Sequence, residues 1–296
     1  MSGDVTVYAD GFTFLECPRW HDGRLYISDF YTHRVLTIDS DGRAELVVEV
    51  PNQPSGLGWL PDGRLLIVSM KDHRILRLEP DGQLVEHANL SGLVPGHLND
   101  MVVDAAGHAY IGNFGFDLMA GEQAAATVLV RVDPDGSATV VADGLMFPNG
   151  SVVLDSTLVV AESFGHRLSA FDIAPDGSLS DRRDWVTFGD PPTSRDTGEM
   201  FGEITIAPDG IGADAEGAIW VADALNRRVV RTREGEGIVD EVSTGEQGAF
   251  ACMLGGDDGR TLFICAAPGF AEADRIGATD AQLLAVRVDV PHGGLP

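Results

Sequence analysis

The chain has 296 residues, a formal net charge of −26 and three cysteines. Such an acidic surface repels phosphate backbones and anionic bilayers, so nucleic acid and membranes are not expected partners. No apolar run approaches the ~18 residues of a membrane helix. Residues 1–11 lack the basic and apolar regions of a secretory signal, and Cys17, Cys252 and Cys265 show neither metal-ligand nor disulfide spacing, so a reduced, cytoplasmic location is expected.

A strand-like stretch at residues 5–9 opens the chain. Turn signals then fall at Asp22-Gly23, Asp62-Gly63, Ala106-Gly107, Asp155-Ser156, Glu216-Gly217 and Asp258-Gly259. Each is followed by a strand-like run: RLYISD, RLLIVS, HAYIGN, TLVVAE, AIWVAD, RTLFIC. Most continue into another, such as HRVLTID, HRILRLE, HRLSAFD or RRVVRT. Short runs bounded by such turns are hairpins. Six units of four strands, repeating every ~40–60 residues, are the pattern of a β-propeller. Length alone suggests two domains, but no linker or composition break divides the chain. The expected fold is all-β, a single six-bladed β-propeller domain over residues 1–296, with four-stranded blades around a central channel. Residues 5–9 are expected to pair with the last run, residues 282–290, and close the ring.

Aligning the units on their turns places Glu16, Ser55, Asn99, Asn149, Asp209 and Ala251 at one equivalent position. In a propeller this position, at the start of the innermost strand, faces the axis at one mouth of the channel. Two carboxylates and two carboxamides there are oxygen donors suited to one divalent cation, with positions left for water. Taken singly, Asn149-Gly150 and Asp209-Gly210 read as plain turns; the metal reading rests on register across repeats. A second equivalent set ends the second strand of each unit: Asp29, Ser69, Asn113, Glu162, Asp223 and Cys265. This set is expected to flank the first, with Asp29, Asn113 and Asp223 orienting the ligands and Glu162 lining the pocket.

The segments FLECPRW, HLNDMVVDAAGHAYIGN, FPNGSVV and PDGIGADAEGAIWVAD resemble the regucalcin/gluconolactonase family of six-bladed propellers, and the resemblance spans essentially the whole chain. It implies a catalytic divalent cation held by Glu16, Asn149 and Asp209, with Asn99 beside it or bound to it. Calcium is the first expectation; zinc, manganese, magnesium and ferrous iron accept the same donors. The resemblance also implies hydrolysis of lactones, often sugar lactones, with Asp209 as base or nucleophile. His97 stands two residues before Asn99, on the same side of a strand, and is a second candidate base. Sugar-lactone members commonly carry an arginine here that contacts substrate hydroxyls, so His97 is a departure from the family pattern. The pocket rim is read as apolar: Phe114, Phe116, Leu118, Met119, Met146, Phe147, Phe164 and Phe270, with His97 and Asn99 also contacting substrate. This suggests a less polar lactone or ester. Two excursions, residues 114–127 and 188–203, leave from near the same mouth. If the second covers the metal, Arg195, Glu199, Met200 and Phe201 are placed to touch substrate. A calcium-dependent esterase or phosphotriesterase shares the four donors and stays open, as does a binding propeller that holds a cation without catalysis. A condensing propeller is disfavoured by the full donor set.

Overall fold

In the computed structural model, which describes residues 3–296, the chain forms six four-stranded antiparallel sheets around one axis, a β-propeller. Blades 1 to 5 take their strands consecutively over residues 15–49, 54–89, 98–145, 148–187 and 208–243. Blade 6 draws three strands from residues 248–287 and its fourth from Thr6–Phe12. Thr6 lies opposite Ala285 and Phe12 opposite Ala281, so the ring closes as expected, with pairing extending three residues beyond Ala9. Closure joins the first strand to the last and leaves no open gap between blades 6 and 1.

The pattern within a blade follows its distance from the axis. Innermost strands are packed on both faces, with polar residues near their starts followed by mostly apolar or small ones; Leu98–Val103 is buried throughout. The outermost strands carry charge and face solvent, as in Ala44–Glu49. Between blades the cores are apolar and aromatic: Trp20 of blade 1 stacks on Phe263 of blade 6 with centroids 5.9 Å apart. The three cysteines are free and buried. Among the described residues no helix is long and apolar enough to cross a membrane.

The two faces of the ring differ. On one, the tail turns back beneath blades 4 and 5, where Leu295 bridges Val153 and His292 bridges Asp214. On the other lie the starts of the innermost strands and the two excursions.

Candidate active site

Glu16, Ser55, Asn99, Asn149 and Asp209 are each the second residue of an innermost strand, in Leu15–His21, Pro54–Trp59, Leu98–Val103, Pro148–Leu154 and Pro208–Ala213. In all five the pairing register slips immediately afterwards. A bulge at this point re-aims a side chain out of the regular alternation, here toward the axis. Neither Asn149-Gly150 nor Asp209-Gly210 is a turn; both lie inside strands. Their glycines are required by crowding at the axis. A Cβ on Gly150 would stand 2.7 Å from the Asp209 carbonyl oxygen, and one on Gly210 would stand 2.4 Å from Ala251 Cβ. The prolines ahead of them open strands, where a missing N–H is tolerated.

Glu16, Asn99, Asn149 and Asp209 all line one cavity of about 100 Å³ at the mouth of the channel. Ser55 and Ala251 lie outside its lining. Burial pushes the Glu16 carboxyl well above the usual carboxylate range, and the neighbouring Asp209 and Asp100 push it further. Burial and Asp100 also raise Asp209, which a hydrogen bond from Asn149 partly offsets. Among the described residues neither carboxylate has a salt-bridge partner, although Arg19 lowers Glu16 slightly from a distance. Two such desolvated carboxylates beside two carboxamides are the kind of oxygen-donor set that hard divalent cations take. No group of three or more His, Cys, Asp or Glu stands together among the described residues, because half of this donor set is amide.

The amide of Asn149 is oriented by its neighbours. The Ser163 hydroxyl donates to the Pro208 carbonyl at 2.7 Å and so accepts from Asn149 Nδ2 at 3.1 Å. That leaves Asn149 Oδ1 as the free donor atom. Asn99 Nδ2 is buried without a hydrogen-bond partner. Beside the donors, Arg19 and Asp100 form a buried ion pair at 2.5 Å. Arg19 also donates to the Leu57 and Met101 carbonyls. One guanidinium thereby ties the innermost strands of blades 1, 2 and 3 together and holds Asp100, the neighbour of Asn99.

The second equivalent set does not orient the donors, which corrects the expectation for Asp29, Asn113 and Asp223. Each is buried and bonded to its own blade or to the segment entering it. Asp29 accepts from the Thr13 and Phe14 amides and the Thr32 hydroxyl. Asn113 donates to the Val128 carbonyl and accepts from Thr127. Asp223 is held by Asn226 and Arg228. Glu162 is also corrected: it does not line the cavity. Its fully buried carboxylate takes Arg167, Arg182, Ser169 and the Met146 amide. Burial alone would raise it, but Arg167 and Ser169 hold it below the ordinary range.

Of the expected substrate contacts, His97, Asn99, Phe114, Phe147, Phe164, Leu118, Met119 and Phe270 line the cavity. Phe116 and Met146 do not; they pack beneath the wall with Met200 and Ile204. The 188–203 excursion carries helix α1, Thr197–Glu203, capped by Asp196. Met200 anchors it in that apolar cluster, and only Phe201 reaches the cavity. Arg195 and Glu199 do not reach the cavity and bond instead to Met146 Sδ and Ser194. The Arg195 carbonyl accepts from the Ala124 amide, joining the two excursions into one cover.

Further wall residues absent from the sequence-based set follow a simple rule. The position two residues before each axial residue, where His97 precedes Asn99, holds Phe14, Gln53, Phe147 and Ala207 in blades 1, 2, 4 and 5, and all line the cavity; Phe14, Gln53 and Ala207 were not expected there, and the blade 6 equivalent, Ala249, lies outside it. The walls are chiefly aromatic. Phe114 packs on Phe147 at 4.4 Å, Phe147 on Phe164 at 5.4 Å, and Phe164 on Phe201 at 5.3 Å. The series continues through Phe270 and Phe250 to Phe14, which meets Phe30 and Tyr31. It is interrupted at blade 2, where Gln53, Met70 and Lys71 stand. Lys71 is paired with Glu272 at 2.9 Å. His97 is half-buried beside Phe114, and burial lowers its pKa, which keeps the ring neutral at pH 7.

Solved structures of similar fold cover nearly the whole chain. A luciferin-regenerating enzyme superposes with a TM-score of 0.79 at 19% identity, covering 98% of this chain and 97% of its own. The calcium-binding protein regucalcin from Agrobacterium tumefaciens gives 0.79 at 20%, covering 99% and 97%. A gluconolactonase from Xanthomonas campestris gives 0.75 at 23%, covering 98% and 90%. No curated protein matches the chain in sequence. The model of the SMP-30/gluconolactonase/LRE-like region matches residues 14–268, from the phenylalanine two positions before Glu16 to the loop after the second long strand of blade 6, and the chain belongs to that family.

Proposed function

We propose that the protein is a cation-dependent hydrolase that opens a lactone ring. The observation that carries this is the pair of desolvated carboxyls, Glu16 and Asp209, facing one axial cavity, with no cationic side chain in salt-bridge contact with either among the described residues. Glu16, Asn99, Asn149 and Asp209 would hold the cation, with calcium the first candidate. When bound, it would polarise the lactone carbonyl and stabilise negative charge developing on its oxygen.

The chain's own residues supply the rest. Water adds to the carbonyl carbon, the ring C–O bond breaks, and the leaving alkoxide takes up a proton to give a hydroxy acid. A base must receive the proton of the attacking water. Asp209 reaches the cavity, but a carboxylate beside a cation is weakly basic. Neutral His97, on the same wall two residues from Asn99, can accept that proton and return it to the alkoxide. The Asn149–Ser163–Pro208 chain fixes the donor geometry before substrate arrives. The joined excursions and the aromatic wall exclude bulk water from the carbonyl.

The test is a hydrolysis screen on γ- and δ-lactones using metal-stripped protein, with each divalent cation added back in turn. Cation-dependent ring opening is expected. Turnover confined to acyclic esters or phosphotriesters would move the reading to an esterase that shares these donors. No turnover by protein shown to bind a cation would overturn catalysis in favour of a binding propeller.

A further inference from the structure

The cavity joins a polar floor to a wall built largely of aromatic side chains, and these two parts specify different portions of a ligand. Ring contacts run from Phe114 in blade 3 through blade 4, helix α1 and blade 6 to Tyr31 in blade 1, with successive centroids 4.4 to 6.4 Å apart. Phenylalanine offers no hydrogen bond. A polyhydroxylated ring seated against this belt would lose water from each hydroxyl and gain no partner, which is costly for every group buried. The polar side chains in the wall are few, and most are already engaged. Lys71 and Glu272 neutralise each other at 2.9 Å. Gln53 Nε2 contacts Met70 Sδ, which leaves Gln53 Oε1 as a single unpartnered acceptor in the wall, and the Ser163 hydroxyl is committed to Pro208 and Asn149. Among the described residues no free cation stands in the wall to receive an anionic substituent.

We infer that the substrate is a neutral lactone or cyclic ester bearing an alkyl or aryl substituent, with its carbonyl at the donor floor and its substituent packed within the phenylalanine belt. This deepens the hydrolase reading and rests on it. The geometry assigns specificity to the belt, above all to Phe114, at one end of the phenylalanine series, and Phe270, in its middle, which are partly exposed, line the cavity and pack on the main core. The belt also distinguishes this chain from a site built for sugars, which would need a donor or acceptor for each hydroxyl.

The experiment compares δ-decalactone with glucono-1,5-lactone, which share a six-membered ring, in cation-loaded protein. A preference in kcat/KM of at least about 100-fold for the alkyl lactone is expected. Phe114→Ala and Phe270→Ala, made separately so that one folding failure does not end the test, should each cut that preference about tenfold, mainly through KM. Binding of the corresponding lactams, which are not hydrolysed, is measured in parallel by calorimetry. Glucono-1,5-lactone turned over as fast as the alkyl lactone would overturn the inference and leave the hydrolase reading standing. Selective binding of the alkyl lactam with no turnover of either lactone would overturn the hydrolase reading and keep the ligand class. Equal binding of both lactams, or of neither, would overturn the inference.

Discussion

Two sets of polar residues repeat in register around this propeller, and they have opposite electrostatics. Glu16 is buried and Asp209 partly buried; both face the axis without a salt-bridge partner, and their carboxyls are driven up. Glu162 is fully buried but receives two arginines, a serine and a backbone amide, and its carboxyl is held down. Asp29 and Asp223 are likewise fully partnered within their blades. Register across repeats therefore identifies positions of common geometry and does not by itself identify ligands. What separates the sets is whether the protein satisfies its own buried charge. A charge satisfied by the fold stabilises the blade; a charge left unsatisfied costs stability and is available to a ligand.

The sharpest way to break this contrast is Asp209→Ala. It should lower kcat/KM by about 10²–10⁴-fold while thermal unfolding of the cation-free protein stays level or rises. A large loss of stability with normal turnover would assign Asp209 to the blade. Arg19→Met is next. It strands Asp100 as a buried charge, so a loss of about 3–5 kcal/mol is expected in denaturant titration, and removing both partners together should recover part of it. If Arg19→Met alone were neutral, the pair would not be fastening the three inner strands.

Glu162→Gln tests the other set. It should cost about 1.5–3 kcal/mol at pH 7 by loss of charged hydrogen bonds, with KM within a few-fold of the parent. Because the folded pKa of Glu162 is depressed, its contribution is present above the ordinary carboxylate pKa and disappears as pH falls through the folded value. Variant and parent should therefore converge in acid. Glu16 and Asp209 carry the opposite sign. Their raised folded pKa values mean that the cation-free protein loses stability as pH rises from the ordinary carboxylate value through the raised one. Cation loading must displace those protons, so affinity should fall by up to about tenfold per pH unit per proton on acidification within that window. Calorimetry in buffers of different ionisation enthalpy reads the released protons directly, and no release would contradict the raised values. The smallest effect is expected for Lys71→Met, about 0–1 kcal/mol in stability, since its pair with Glu272 is about one-third exposed.

Strand order, blade count and ring closure were legible because hairpin turns punctuate the sequence at each repeat, and local turn chemistry is written locally. The shared axial position of Glu16, Asn99, Asn149 and Asp209 was legible for the same reason: a repeat that fixes backbone geometry also fixes which residue faces the axis. Tertiary structure decided what local sequence does not encode. Only the packed ring shows that Gly150 and Gly210 answer to a neighbouring strand instead of a turn. Only the folded blade brings Arg182, on its outermost strand, onto Glu162, and only the packed ring carries Phe201 from a distant excursion into the aromatic belt. Hairpin neighbours satisfy a buried charge such as Asp223 within its own blade, whereas the Arg19–Asp100 pair joins residues 81 apart in the chain, and contacts of that reach are settled by the fold as a whole.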